Sequence, residues 1–352
     1  MKRFVLLLLA ACGTYSGEDT EKVGLGAETG IPPRHGTILI DGCVIDTWSR
    51  STLAQPQTKK VAQELVMLCA VPREDGTVGP RDESAAAALS AAVDDLHKDG
   101  WRVNLGVAFT DESGQRYDGT QTSKFLSDGT WRARFVETLP AVLAPFDGVE
   151  IDLQGLPNDA RSNVTELVFQ IGKVVHPAKK LNVFVPPSID VPSDLPGGQA
   201  FDRISLGANV DRMRIMTLDY SETTPGPTID PGWAVDAVRL AKKDFVACDI
   251  AVPLYGTDFG PRGRRSTTWY EARAIAESGG VPIQRGPTGA PFLRFTTFGT
   301  EHHELWFDDA TSTARTLGAW TFDVLPDDVG VLYYGLGAED PTLFSELGAR
   351  MP

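Results

Sequence analysis

The stretch Phe146-Asp147-Gly148-Val149-Glu150-Ile151-Asp152-Leu153-Gln154 sets an acid or an amide at every second position of an apolar run. In an extended strand, residues two apart share a face. Glu150, Asp152 and Gln154 then point one way, and Val149, Ile151 and Leu153 the other. Carboxylates stacked on one face raise one another's pKa and do not build a core, so the row predicts a concave polar site. The competing possibility is an exposed edge strand with solvated acids.

Outward from this run, strand-like segments alternate with helical ones, the mark of a parallel sheet covered by helices. Strands are expected over 43–48, 65–71, 102–109, 148–154, 181–185, 212–218, 245–254 and 330–334. Eight strands close a (β/α)8 TIM barrel, which needs about 250 residues as one domain, so a 352-residue chain does not demand two. Helices are expected over 83–98 and 130–143, with Pro140 bending or breaking the second. After strand seven, 269–278 reads as helix, 281–297 as short β pieces split by Gly-Pro turns, and 309–317 as helix again. The expectation is a barrel over 37–352 with a small α+β insertion at 265–308.

The opening run resembles the signature strand of the family 18 glycoside hydrolases, the chitinase-like enzymes, D-x-x-D-x-D-x-E, with Asp147, Glu150, Asp152 and Gln154 at the four places. Met216-Thr217-Leu218-Asp219-Tyr220 is similar to the family's M-x-Y-D-Y strand. Val252-Pro253-Leu254-Tyr255-Gly256 is similar to its P-L-Y-G, and Glu304-Leu305-Trp306-Phe307-Asp308-Asp309-Ala310 to its V-W-F-E-D-A. Leu336-Gly337-Ala338-Glu339-Asp340-Pro341 matches the L-G-x-E-D-P that follows the last strand. The departures fall at the chemistry: Gln154 stands for the catalytic Glu, Leu218 for a Tyr, Tyr334 for a closing Trp, and Gly106-Val107-Ala108-Phe109 where S-x-G-G is expected.

The resemblance implies substrate-assisted hydrolysis. A Glu protonates the leaving glycosidic oxygen while the sugar's N-acetyl carbonyl attacks the anomeric carbon, and an Asp orients that amide. Asp152 matches the orienting Asp and Asp219 a carboxylate that helps hold the sugar, with Tyr220, Tyr255, Trp48 and Tyr334 as candidates to contact it. Gln154 can donate a hydrogen bond but releases no proton, so hydrolysis is expected to be impaired. The leading expectation is a surface-anchored, non-hydrolytic glycan-binding relative of chitinases, with chitin oligosaccharide or peptidoglycan as the bound glycan. The alternatives are an active hydrolase with a displaced acid, Glu222 being the nearest candidate, and a scaffold whose cleft binds a protein.

A formal charge of −14 without a basic, aromatic-interleaved stripe argues against nucleic acid and leaves a neutral glycan compatible. Lys2 and Arg3 precede an apolar run from Phe4 to Ala11 that reads as an export signal, and Leu9-Ala10-Ala11-Cys12 resembles a bacterial lipobox. Residues 1–11 are thus expected to be a signal, Cys12 a lipidated anchor at the cell envelope, and 12–36 a flexible tether. An ordinary secretory signal is the alternative. Cys43, Cys69 and Cys248 show no C-x-x-C spacing and are expected as buried thiols, with a Cys43–Cys69 bridge as the alternative. His302 and His303, adjacent on an expected loop without i+3 or i+4 partners, predict no metal site, and no cofactor is implied.

Overall fold

The computed structural model describes residues 30–110, 117–189, 198–243, 247–321 and 323–352; the expected signal, Cys12 and most of the expected tether lie outside them. Eight parallel strands form the barrel: β1 Gly36–Ile40, β2 Glu64–Pro72, β3 Arg102–Ala108, β4 Gly148–Asp152, β5 Lys180–Val185, β6 Arg212–Ile215, β7 Cys248–Pro253 and β8 Gly330–Tyr334. They neighbour one another in chain order, and pairing of β1 with both β2 and β8 closes the ring. Helices Ala86–Lys98, Gly129–Leu143, Arg161–Val175, Pro231–Lys243 and Ala310–Ala319 lie between strands, and Leu343–Arg350 follows the last. Outward residues such as Val103, Val149, Ile151, Val183 and Ile250 meet Val93, Phe135, Leu139, Val164 and Leu167 in one apolar shell. Among the described residues no helix is long and apolar enough to cross a membrane.

Inside the ring the first layer is polar. Arg214 on β6 reaches Asp249 on the neighbouring β7 and, across the lumen, Glu150 on β4 (Nη2 to Oε1, 2.7 Å), Thr37 on β1 (3.1 Å) and Glu64 on β2. Asn104 and Asn182 donate to Glu150 Oε1 at 2.9 and 2.7 Å, and Arg212 donates to Asp249 at 2.7 Å. Buried charges survive only when paired and hydrogen-bonded, and this layer meets that condition. Nearer the C-terminal ends of the strands lies an apolar layer of Leu39, Val66, Leu68, Ala108, Phe184, Ala251 and Leu332.

Several sequence expectations are corrected. The first strand is Gly36–Ile40, not 43–48: Asp46 accepts a hydrogen bond from Ser49 N and caps helix Thr47–Leu53, so Cys43 and Ile45 are buried apolar positions on the approach to a helix. Residues 30–36, assigned to the tether, are packed. Ile31 is buried with its N–H on Arg350 O (3.2 Å), and the Arg34 guanidinium satisfies carbonyls of Trp320, Pro326 and Val329. Helix Gly129–Leu143 continues through Pro140, whose lost hydrogen bond falls on the solvent face while Trp131, Phe135, Leu139 and Leu143 stay buried. Cys43 and Cys69 form a disulfide (Cα–Cα 4.7 Å) because β1 and β2 are neighbours, whereas Cys248 is a buried thiol raised to about 11 by desolvation.

The accessory sheet begins earlier than the expected insertion, at Gly256. Its order is Gly263–Thr267, Gly256–Gly260, Glu301–Trp306, Pro291–Thr297, Gln284–Arg285, all antiparallel, with helix Trp269–Gly279 packed on Leu293 and Leu305. His302 and His303 sit within a strand of this sheet, not on a loop. His303 Nδ1 lies 2.9 Å from Asp258 and its ring stacks on Phe295.

Candidate active site at the barrel mouth

The period-two row on β4 separates by depth. At about 3.3 Å per residue, Glu150 lies roughly 6–7 Å below Asp152 along the strand. Glu150 is consumed by Arg214 in the polar layer and does not reach the mouth. Asp147 lies at the opposite end of the barrel, where its Oδ2 accepts from Val103 N (2.7 Å) and meets His97 Nε2 (2.9 Å). Of the four signature positions, the fold brings Asp152 and Gln154 to the C-terminal face, where α/β barrels place their chemistry.

Asp152 is 1% exposed. Gln154 Nε2 donates to both of its carboxylate oxygens at 3.1 Å, and the Tyr117 hydroxyl donates to Oδ2. Burial pushes the Asp152 carboxyl up to about 6, with the Tyr117 and Gln154 hydrogen bonds partly opposing the rise. Tyr117 was not anticipated from sequence, since a lone Tyr between Gly- and Asp-rich residues carries no periodic signal. Two glycines bring it to Asp152. Gly155, at φ 66°, turns the chain directly after Gln154, and a Cβ on Gly119 would lie 1.8 Å from Gly155 O. That backbone approach docks the start of helix Gly119–Ser127, capped by Asp118, beside the end of β4.

Asp219, just past β6, takes φ 55°, a conformation that Asp tolerates better than most residues. Its Oδ1 accepts from Tyr255 Oη at 2.8 Å, and Arg264 from the accessory sheet stands 3.5 Å from Oδ2. Tyr255 packs edge-on to Tyr334 (centroids 6.3 Å), and desolvation followed by nearby carboxylates pushes both phenols well above their usual range. Both hydroxyls therefore stay protonated as donors. Leu218 packs on the apolar layer and offers no donor. Asp41, at the end of β1, adds to the negative field on Asp152 and is paired with Arg81 at 2.5 Å.

The remaining candidates lie on the rim. Trp48, on a helix and not at a strand end, is 38% exposed, donates to buried Glu339 (3.2 Å) and meets Tyr270 edge-on at 5.6 Å. Tyr220 is half-exposed and tilts against Trp233 at 5.3 Å. Glu222 is exposed on the loop after β6. Among the described residues no group of three His, Cys, Asp or Glu could hold a metal ion.

No protein-family model matches the chain. A stretch of 125 residues, 32% of the chain, is 31% identical to the cortical fragment-lytic enzyme of Bacillus subtilis (strain 168), and this match spans 29% of that protein's length. The fold overlays on the Bacillus cereus spore cortex-lytic enzyme SleL with a TM-score of 0.76 at 17% identity, covering 92% of this chain and 76% of that one. It overlays on a chitinase from Chromobacterium violaceum with a TM-score of 0.73 at 18% identity, covering 89% and 98%. The overlay on catalytic domain 2 of an Ostrinia furnacalis Group II chitinase, an E2180L mutant in complex with a penta-N-acetyl chitooligosaccharide, gives 0.63 at 16% identity, covering 89% and 95%. The chain therefore has a chitinase-like (β/α)8 barrel, the fold it shares with chitinases and spore cortex-lytic enzymes.

Proposed function

We propose that this protein is a family 18 relative that binds a glycan containing N-acetylglucosamine, chitin oligosaccharide or peptidoglycan, at the barrel mouth and hydrolyses it poorly or not at all. One observation supports this reading: residue 154, which the resemblance sets at the proton-donor position, is an amide whose Nε2 is turned onto Asp152. An amide releases no proton at any accessible pH, and general acid catalysis supplies about 10²–10⁴-fold in rate. Leu218 removes a second contribution, the hydroxyl that would steady the attacking acetamido group.

Binding survives such losses. A neutral amide keeps the cleft's shape without the cost of an unpaired buried acid, and the faces of Tyr255, Tyr334, Tyr220 and Trp48 suit the apolar faces of pyranose rings. The relatives named for chitin and for spore cortex support a glycan of this class. Export with a lipid anchor at Cys12 belongs to the same proposal, since such polymers lie outside the cytoplasm. The test is retention on chitin and on peptidoglycan beads together with a reducing-sugar assay. Binding without sugar release is expected. Release that disappears in Asp152→Asn or Glu222→Ala would replace this function by hydrolysis through a displaced acid.

A further inference from the structure

We propose that Tyr117 is the specificity-determining residue of the mouth: its phenol holds the place on Asp152 that a sugar's acetamido N–H would take, so a 2-acetamido sugar is kept off Asp152 and the glycan lies along the rim. This rests on the glycan-binding function above. A carboxylate offers about four lone-pair sites. On Asp152, Gln154 uses one on each oxygen and Tyr117 one on Oδ2. That fills Oδ2 and leaves one site on Oδ1; a phenol O–H and an amide N–H are both single donors, so Tyr117 takes the Oδ2 site that a bound acetamido group would otherwise use.

The ring matters as much as the hydroxyl. It packs on the apolar layer of Leu39, Val66, Ala108, Phe184, Ala251 and Leu332, the layer on which Met216, Leu218 and Tyr334 also pack. It therefore sits on the lumen's apolar layer beside Asp152, and a pyranose seated on Asp152 would have to displace it. The position is enforced from two sides. Thr110 and Tyr117 form an antiparallel bridge, and the Gly119–Gly155 approach leaves no space for a side chain. Desolvation and the Asp152 charge push the phenol well above its ordinary range, so it remains a donor throughout the physiological pH range.

The test uses calorimetric titration with chitotriose and with its reducing-end thiazoline, a bicyclic mimic of the acetamido group folded onto C1 whose ring nitrogen has no hydrogen of its own and presents an N–H to the Asp152 carboxylate after taking up a proton. The full-length natural chain is expected to bind the thiazoline no tighter than chitotriose. Tyr117→Ala and Tyr117→Ser are expected to gain a thiazoline preference of about 10-fold or more, the scale of a hydrogen bond to a charged group. A 10-fold preference in the natural chain overturns the proposal even if neither variant folds, as does a folded variant with no gain. Glycan binding by the natural chain without gain in the variants removes the role of Tyr117 alone. Absence of chitin and chitotriose binding, with thiazoline affinity appearing in the variants, removes the glycan-binding function and leaves Tyr117's role standing. Neither binding nor gain removes both.

Discussion

Gln154→Glu sets a second carboxyl against the first. The amide nitrogen lies 3.1 Å from both Asp152 oxygens, and an oxygen in its place would inherit that separation. Two unit charges 3.1 Å apart at an effective dielectric of about 20 repel by about 5 kcal/mol. Gln154 is partly exposed, and water screening reduces this to roughly 2–3 kcal/mol. Asp152 is already raised to about 6 by burial, so the pair would retain one shared proton at neutral pH. The sign follows from linkage. Groups whose folded pKa lies above the unfolded value favour the fold at low pH and lose that advantage as pH rises through the folded pKa. The variant should therefore match the natural chain at pH 5 and fall progressively behind it by pH 9, by roughly 2 °C of melting temperature per kcal/mol. Thermal melts of both proteins at pH 5, 7 and 9 make the measurement. Parallel curves would mean that residue 154 is not in reach of Asp152, and the account of the mouth would fail. Because Tyr117 still covers Asp152, sugar release is expected from the double variant Tyr117→Ala/Gln154→Glu and not from Gln154→Glu alone.

Arg214→Met should destabilise the chain by at least about 3–5 kcal/mol, since it leaves Glu64, Glu150 and Asp249 buried together without their shared cation; urea unfolding at pH 7 measures the loss, and near-natural stability would contradict the polar layer described above. Trp48→Ala should weaken chitin retention and lower the melting temperature only slightly, because the ring stands partly exposed on the rim while buried Glu339 loses the indole donor and keeps the Gly337 N–H. In a Cys12→Ser chain, thiol titration should find no reactive group in the native protein. Unfolding should expose one, Cys248, and reduction should bring the number to three.

The sequence by itself determined the barrel and the face of β4 that looks inward. Alternating strand and helix patterns depend on local periodicity, and seven of the eight strands fall where alternation places them because burial on both sides of a parallel strand leaves a local apolar trace. The first strand was displaced because Cys43 and Ile45 mimic that trace ahead of a capped helix. Periodicity also gives a side chain's direction but not its depth. Glu150 and Asp152 share a face, yet one is bound by an arginine 64 positions away while the other lies under Tyr117, and neither partner leaves a mark near β4. Tertiary structure alone decided that Asp147 belongs to the far end of the barrel, that Cys43 meets Cys69, and that Trp48 rides on a helix. It also decided that two glycines 36 residues apart bring a tyrosine onto Asp152, a contact between loops whose geometry is set by backbone approach and not by any repeating pattern of side chains.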